Sequence, residues 1–422
     1  MTDTVDLAVS GFANGGDGVA HDADGRVVFV AGALPGERVR ARIVDRRSTY
    51  AKAQTAEVLD ASPHRIPVAC PAAAAGAGCC DLAYVTPEYA GGLRADALGD
   101  VLARIGRFDP DRLAFPEVAE LDDDPVGWRV RTRLAVDARG AVGLRACRSS
   151  EVVTARCSGP VAGLTDGLDD LPVTPGADLV AAVGDDGRRQ VVELAPIRTA
   201  AGRGRTAAQR ARARRSAPRT ETVLDGDGLV SYRVGERTWT LPATGFWQAH
   251  RRAPEVYAQT IRDFAALVPD VATSTGLRVW DLYGGAGVLG AALLDGAAQG
   301  GPAVAGIDLV ETAPAALALA EDTLADEPVT THRGAVEAVV GNLPAPDLVI
   351  ADPPRSGTGA ATVAAICAAG PAGVVHVGCD AAAFARDLAA YVAAGYRLVA
   401  WRAFDAFPRT SHVEAIAVLR SP

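Results

Sequence analysis

The chain has 422 residues, 49% of them hydrophobic and 22% charged, with a formal net charge of −9. At about 150 residues per domain this predicts two or three domains of an ordinary globular protein and excludes a disordered or fibrous one. The apolar stretches break before the ~20 residues of a membrane span, and MTDTVDLAVSG lacks the basic start and apolar block of a secretory signal. The expectation is a cytoplasmic chain. Net acidity argues against a general polyanion binder, but averages hide patches: Lys52 is the only lysine, so 41 of the 42 basic residues are arginine. Seven cysteines in such a chain point to metal ligands, nucleophiles or core thiols more than to disulfides.

Residues 5–60 alternate as short strands, among them Val27–Val30, Arg38–Val44 and Ala53–Leu59, divided by the turns Gly15–Gly18 and Ala33–Gly36. Four or five such strands predict a small antiparallel barrel. Arg38, Arg40 and Arg42 alternate, with Arg46 and Arg47 beyond them, which gives either a face that tracks a phosphate backbone or a solvated strand face. Gly11-Phe12-Ala13-Asn14-Gly15-Gly16-Asp17-Gly18-Val19-Ala20, followed by Leu34-Pro35-Gly36-Glu37, closely resembles the TRAM domain, an RNA-binding barrel attached to RNA-modifying enzymes, over residues 4–60.

Residues 61–230 are mixed, with a helix expected over Pro87–Arg107 and strands at Arg129–Val136 and Val191–Leu194. Between Arg198 and Arg219 lie eight arginines and no acid. Such a run is expected to be mobile and to attract nucleic acid with a steep salt dependence, unless it is an arbitrary insertion in an arginine-biased chain. From residue 231 apolar strands alternate with Ala-rich helices, the pattern of a parallel α/β sheet. The strands are expected at Val279–Tyr283, Ala303–Asp308, Leu348–Asp352 and Gly373–Val377, closed by a hairpin of Arg397–Phe404 and Val413–Leu419. A parallel sheet with an antiparallel last strand is the architecture of S-adenosylmethionine-dependent methyltransferases more than of dehydrogenases. The division expected is 1–60, 61–230 and 231–422.

Asp281–Gly287 follows a strand and opens a helix, and Asp308 lies 21 residues beyond Gly287, a spacing that suits a carboxylate on ribose hydroxyls. Alone the pair says only that a nucleotide-like cofactor binds, and NAD stays open. In Asp352-Pro353-Pro354-Arg355 the prolines hold the chain extended and fix the flanking side chains over a pocket. Cys379 follows a strand at the rim where catalytic groups belong, although a lone loop cysteine is commonly inert. Glu414 interrupts the apolar strand Val413–Leu419. Buried in a doubly covered sheet, its carboxyl would titrate high and suit general-base work; on an edge strand it would be harmless.

Gly245-Phe246-Trp247-Gln248-Ala249-His250, Asp281–Gly287, Asp352–Arg355, Cys379 and Phe407–Glu414 stand in the order and spacing of the RNA (uracil-5-)-methyltransferases. The chain resembles that family over nearly its whole length, and within it the ribosomal RNA branch. The resemblance implies a Rossmann-like S-adenosylmethionine-dependent domain behind an OB-like TRAM barrel and a mixed central domain. It implies Cys379 as the thiolate that adds to uracil C6 and Glu414 as the base that removes the C5 proton. Gln248, Tyr283, Asp308 and Asp352 match the cofactor positions, and Gln248 and Arg355 would also order the uridine, which must leave its stack. The chain departs from the family at His250, Gly284, Val288 and Asp380-Ala381, which touches ligand details and not the reaction.

Many relatives carry a [4Fe–4S] cluster on one Cys, a Cys-Gly-Gly-Cys and a later Cys. Here Cys70, Cys80 and Cys157 align, Ala77 stands at the first paired position, Cys79 is the substitute and Cys147 the reserve. Zinc on the same thiols and a purely structural role are the alternatives. The expected substrate is ribosomal RNA, with transfer RNA second, no membrane and no obligate protein partner. Radical methylthiotransferases also join TRAM barrels to iron–sulfur clusters, but the Cys-x3-Cys-x2-Cys run they need is absent. The non-enzymatic alternative is an RNA-binding assembly factor.

Overall fold

The structure, a computed structural model, describes residues 4–109, 118–122, 124–147, 149–197, 218–268 and 276–422. Strands Thr4–Phe12, Gly18–His21, Val27–Ala31, Tyr50–Asp60 and Arg38–Arg46 close a barrel in that order. One pair departs from the expected antiparallel pattern: Val27–Ala31 runs parallel to Tyr50–Asp60. Leu7, Val9, Ala20, Val28, Val30, Val39 and Ala53, the inward members of each alternation, fill the barrel.

A six-stranded antiparallel sheet follows, ordered Arg219–Asp225, Arg189–Pro196, Asp178–Val183, Arg131–Val136, Val142–Arg145 and Val152–Val153. Residues 198–217, most of the arginine-rich run, lie outside the described residues. Arg219, the last arginine of that run, instead opens a strand and pairs with the buried Asp178 at 3.0 Å. The helix expected over Pro87–Arg107 spans Pro87–Arg104, with Pro87 at its first turn.

The largest sheet has eight strands in the order Val329–Arg333, Val304–Glu311, Leu277–Leu282, Leu348–Ala351, Gly373–Gly378, Glu414–Arg420, Arg397–Asp405, Val118–Glu120. The first five are parallel, and Glu414–Arg420 inserts antiparallel between Gly373–Gly378 and Arg397–Asp405. Period-2 alternation divides the core. Trp280, Leu282, Val349 and Val374 pack on one face with the helices Pro87–Arg104 and Ala381–Ala393. Val279, Ile350, Val377 and Ile416 pack on the other with Ala253–Ala265. Leu98, Leu102 and Val118, from the region expected to be central, thus belong to the core of this sheet. Among the described residues no helix is long and apolar enough to cross a membrane.

Candidate active site

Residues two apart on a strand share a face. Asp281 with Val279, Asp352 with Ile350, Cys379 with Val377 and Glu414 with Ile416 therefore fall on the face that the helix Ala253–Ala265 covers, at the rim where the parallel strands end. The antiparallel register pairs Gly378 with Ala415; continued by one residue, it sets Cys379 beside Glu414. On its other side Glu414 pairs with Phe404, against which the Tyr257 ring packs at 5.6 Å.

Burial governs the electrostatics here. Glu414 is 4% exposed, and burial, reinforced by Asp352 and opposed by Arg355, lifts its carboxyl well above the ordinary range. Burial pushes the Cys379 thiol up to about 11, with Glu414 and Asp352 adding and Arg355 opposing. Asp352 and Asp281 both rise to about 7 through burial, Asp281 in spite of the hydrogen bond that Gly290 N donates at 3.1 Å. The buried Tyr257 hydroxyl has no hydrogen-bond partner among the described residues. Acids with raised proton affinities gathered at one rim mark a functional site more often than a structural one. Cys379 opens into a cavity of about 120 Å³ that Asn14, Arg94, Arg355 and His412 also line. A larger cavity of about 420 Å³ borders Cys157 in the central sheet, whereas Cys379 and Val413, the residue before Glu414, line the smaller one.

Beside this rim the chain builds a cradle. Backbone φ is positive at Tyr283 (58°), Gly285 (55°) and Gly287 (78°). A β-carbon at Gly284 would sit 2.9 Å from Asp281, whereas one at Gly285 would meet nothing within 4 Å. The loop is thus packed on its sheet side and open at the mouth, the place where a nucleoside fits this fold. The Trp239 indole donates to the Ala286 carbonyl at 2.9 Å and packs against Trp247, the chain neighbour of the half-buried Gln248. Phe246, two residues before Gln248, is 82% exposed. The Tyr283 hydroxyl lies near Thr358 and Thr362, beyond the Asp352–Arg355 turn.

Asp308 does not reach the cradle. The strand runs on to Glu311, so Asp308 lies in mid-sheet opposite Trp280, its carboxylate 2.8 Å from His332 Nε2. The rim acid is Glu311, which accepts from Gly285 N at 3.2 Å as well as from Thr312 N and Ala313 N. Sequence reading ended this strand three residues early. Leu309 and Val310 continue the apolar run, and the signal for the true end is Pro314, which opens the next helix.

A family model described as the TRAM domain matches residues 2–56. An uncharacterized RNA methyltransferase of Corynebacterium efficiens is 43% identical over 99% of this chain and 94% of its own. A 23S rRNA (uracil(1939)-C(5))-methyltransferase of Alkalilimnicola ehrlichii is 33% identical over 98% and 96%. The chain belongs to the RNA (uracil-5-)-methyltransferase family. The crystal structure of the Pyrococcus abyssi tRNA (uracil-54, C5)-methyltransferase with S-adenosyl-L-homocysteine shares its fold, with a TM-score of 0.70 at 18% identity over 98% of this chain and 100% of that one.

In this methyltransferase the cysteines converge only in part. Cys157 accepts hydrogen bonds from the Cys79 and Cys80 thiols, which lower its proton affinity and raise theirs, and Cys70 also contacts Cys157. Ala77 is buried in the same cluster, its methyl where the family's paired cysteine is expected. Cys147 is exposed. Among the described residues no group of three or more His, Cys, Asp or Glu side chains is arranged to hold a metal ion. The placement does not fit the expected [4Fe–4S] cluster, and no step below runs through one.

The basic barrel stripe is also modified. Arg40 is held by Asp6 at 3.0 Å and Glu57 at 2.7 Å, Arg38 lies near Asp6 and Asp60, and Arg42 bonds to Gln54. Cross-strand register puts Asp6 and Glu57 on either side of Arg40, so the stripe is largely neutralised by its own sheet. Exposed pairs of this kind contribute little to stability and can be exchanged for phosphates.

Proposed function

We propose that this enzyme methylates uridine C5 in RNA, with 23S ribosomal RNA as the substrate and the cytoplasm as its place of action. The observation that carries the reading is the register pairing that opposes a half-buried thiol, Cys379, to a buried carboxyl, Glu414, on one face of the sheet. The choice of ribosomal RNA rests on the 33% identical relative named for 23S rRNA.

Uracil C5 is a poor nucleophile until C6 is attacked. Cys379 Sγ adds to C6, and the electron pair moves to C5 and O4 as an enolate. S-adenosylmethionine supplies the methyl group that C5 acquires, and its positive charge favours the ionised forms of neighbouring acids. Glu414 removes the C5 proton, the C5=C6 bond re-forms and the C6–S bond breaks. Gln248, Tyr283, Asp352 and Glu311 hold the cofactor around the glycine loop, with Glu311 in the role first given to Asp308. Arg355, paired with His412 Nδ1 at 3.2 Å, faces the flipped base, and the exposed Phe246 offers a stacking surface. The division 1–60, 61–230 and 231–422 is proposed with this reading, with residues 87–104 and 118–120 packing on or pairing with the catalytic sheet.

Mass spectrometry of ribosomal and transfer RNA from cells with and without the gene tests the proposal. One 23S uridine should lose a methyl group in its absence, and Cys379→Ala should fail to restore it while still binding RNA. Loss in transfer RNA alone would move the substrate. No change in either RNA would leave the binding-factor reading.

A further inference from the structure

The loop that leads into Glu414 is gripped by a segment 330 residues earlier in the chain. Asp81 accepts from Ser411 N at 3.0 Å and from Ser411 Oγ at 2.6 Å. The Leu82 amide donates to the Arg409 carbonyl at 2.9 Å, and Arg94 donates to the Thr410 carbonyl at 3.0 Å. Within the loop Thr410 Oγ1 donates to the Phe407 carbonyl and accepts from His412 N. Arg409 has a φ of 64°, an angle that a non-glycine residue keeps only where its surroundings over-determine it. The barrel bears on the same joint: a β-carbon at Gly16 would lie 2.5 Å from Asp81 Oδ2 and 3.0 Å from Ser411 Cβ.

Cys379 is held by other means. Its strand is central in the sheet, and Asp380 caps the helix that follows by accepting from Ala383 N at 2.9 Å. Glu414 is the first residue of its strand, where pairing frays most easily. The grip therefore acts on the base side of the site and leaves the nucleophile side alone.

We propose that Asp81 is a positioning residue for Glu414: by fixing Ser411 it sets the carboxylate for the release step. In that step the carboxylate takes the C5 proton, the C5–H electron pair forms the C5=C6 bond, and the C6–S bond breaks to return the Cys379 thiolate. The proposal rests on the reading of Cys379 and Glu414 given above.

The test uses the full chain, S-adenosylmethionine and 23S rRNA from cells lacking the gene, with turnover and the denaturation-resistant protein–RNA adduct followed together. Glu414→Gln should trap the adduct. Asp81→Ala should slow turnover about 10- to 100-fold with KM nearly unchanged, and should accumulate adduct as Glu414→Gln does. Asp81→Asn keeps an acceptor for Ser411 N and a donor for Ser411 Oγ, so it should recover most of the rate. Gly16→Ala, which presses on the joint from the barrel, should reproduce Asp81→Ala. Wild-type turnover by Asp81→Ala, or slow turnover without adduct, overturns the proposal while Glu414→Gln still traps. If the wild type does not methylate, or Glu414→Gln traps nothing, the reading of the site fails first and takes this one with it.

Discussion

Arg94→Met removes a cation that is 2% exposed and lies 2.6 Å from the buried Asp405. Burial already raises the Asp405 carboxyl above its ordinary value of 3.8, with Arg94 opposing. Left without its partner, Asp405 takes up a proton rather than remain a buried charge. At pH 7 that proton is held roughly three pH units above the ordinary value, which caps its cost at about 4 kcal/mol. Loss of the donor to the Thr410 carbonyl adds about 1 kcal/mol. A carboxyl whose folded-state affinity is raised destabilises more as pH rises, so at pH 5 the protonation cost shrinks to about 2 kcal/mol. Urea unfolding of wild type and variant at the two pH values reads the difference. Arg94→Met/Asp405→Asn should regain most of the loss. An equal loss at both pH values, or a double variant no more stable than the single one, would refute the account.

Glu311→Ala should raise the KM for S-adenosylmethionine about tenfold or more, and Asp308→Ala should leave it nearly unchanged; the reverse order would return the ribose to Asp308. Tyr257→Phe deletes a buried, unpaired hydroxyl and should stabilise by about 1 kcal/mol in the same unfolding assay, whereas a loss would mean that the hydroxyl has a partner. In iodoacetamide labelling of the free enzyme followed by peptide mass spectrometry, Cys147 and Cys157 should react before Cys379. Cys379, pushed up to about 11, should react about tenfold more slowly for each unit the pH falls below that value, and fast labelling at neutral pH would contradict its burial.

Wherever chemistry follows from local pattern, the sequence was legible. The barrel turns, the glycine loop and the Pro-Pro turn each depend on residues within a few positions of one another, and their backbone restrictions act locally. The apolar run around Glu414 left a buried carboxyl and a harmless edge-strand one as the two readings, and the carboxyl is buried. The acid expected at the rim shows the limit. Asp308 and Glu311 both follow apolar residues, and only the pairing of Asp308 with Trp280 and of Glu311 with Arg333 decides which one reaches the rim. Arg40 reads as a free cation until the register brings Asp6 and Glu57 beside it. Cys70, Cys80 and Cys157, with Cys79 as the substitute, read as cluster ligands, although among the described residues no three such side chains are arranged to hold a metal ion.

The sequence by itself determined the element types and the doubly covered parallel sheet, because hydrophobic period and turn chemistry are carried by neighbours in the chain. The pair proposed to react, Cys379 and Glu414, came from the family resemblance. Only the tertiary structure decided what those side chains experience. The insertion of Glu414–Arg420 beside Gly373–Gly378 joins thiol to carboxyl, and burial then lifts both proton affinities. The grip of Asp81 and Arg94 on residues 409–411 is likewise invisible in sequence. Contacts across such separations cost loop-closure entropy, and only the completed core stabilises them.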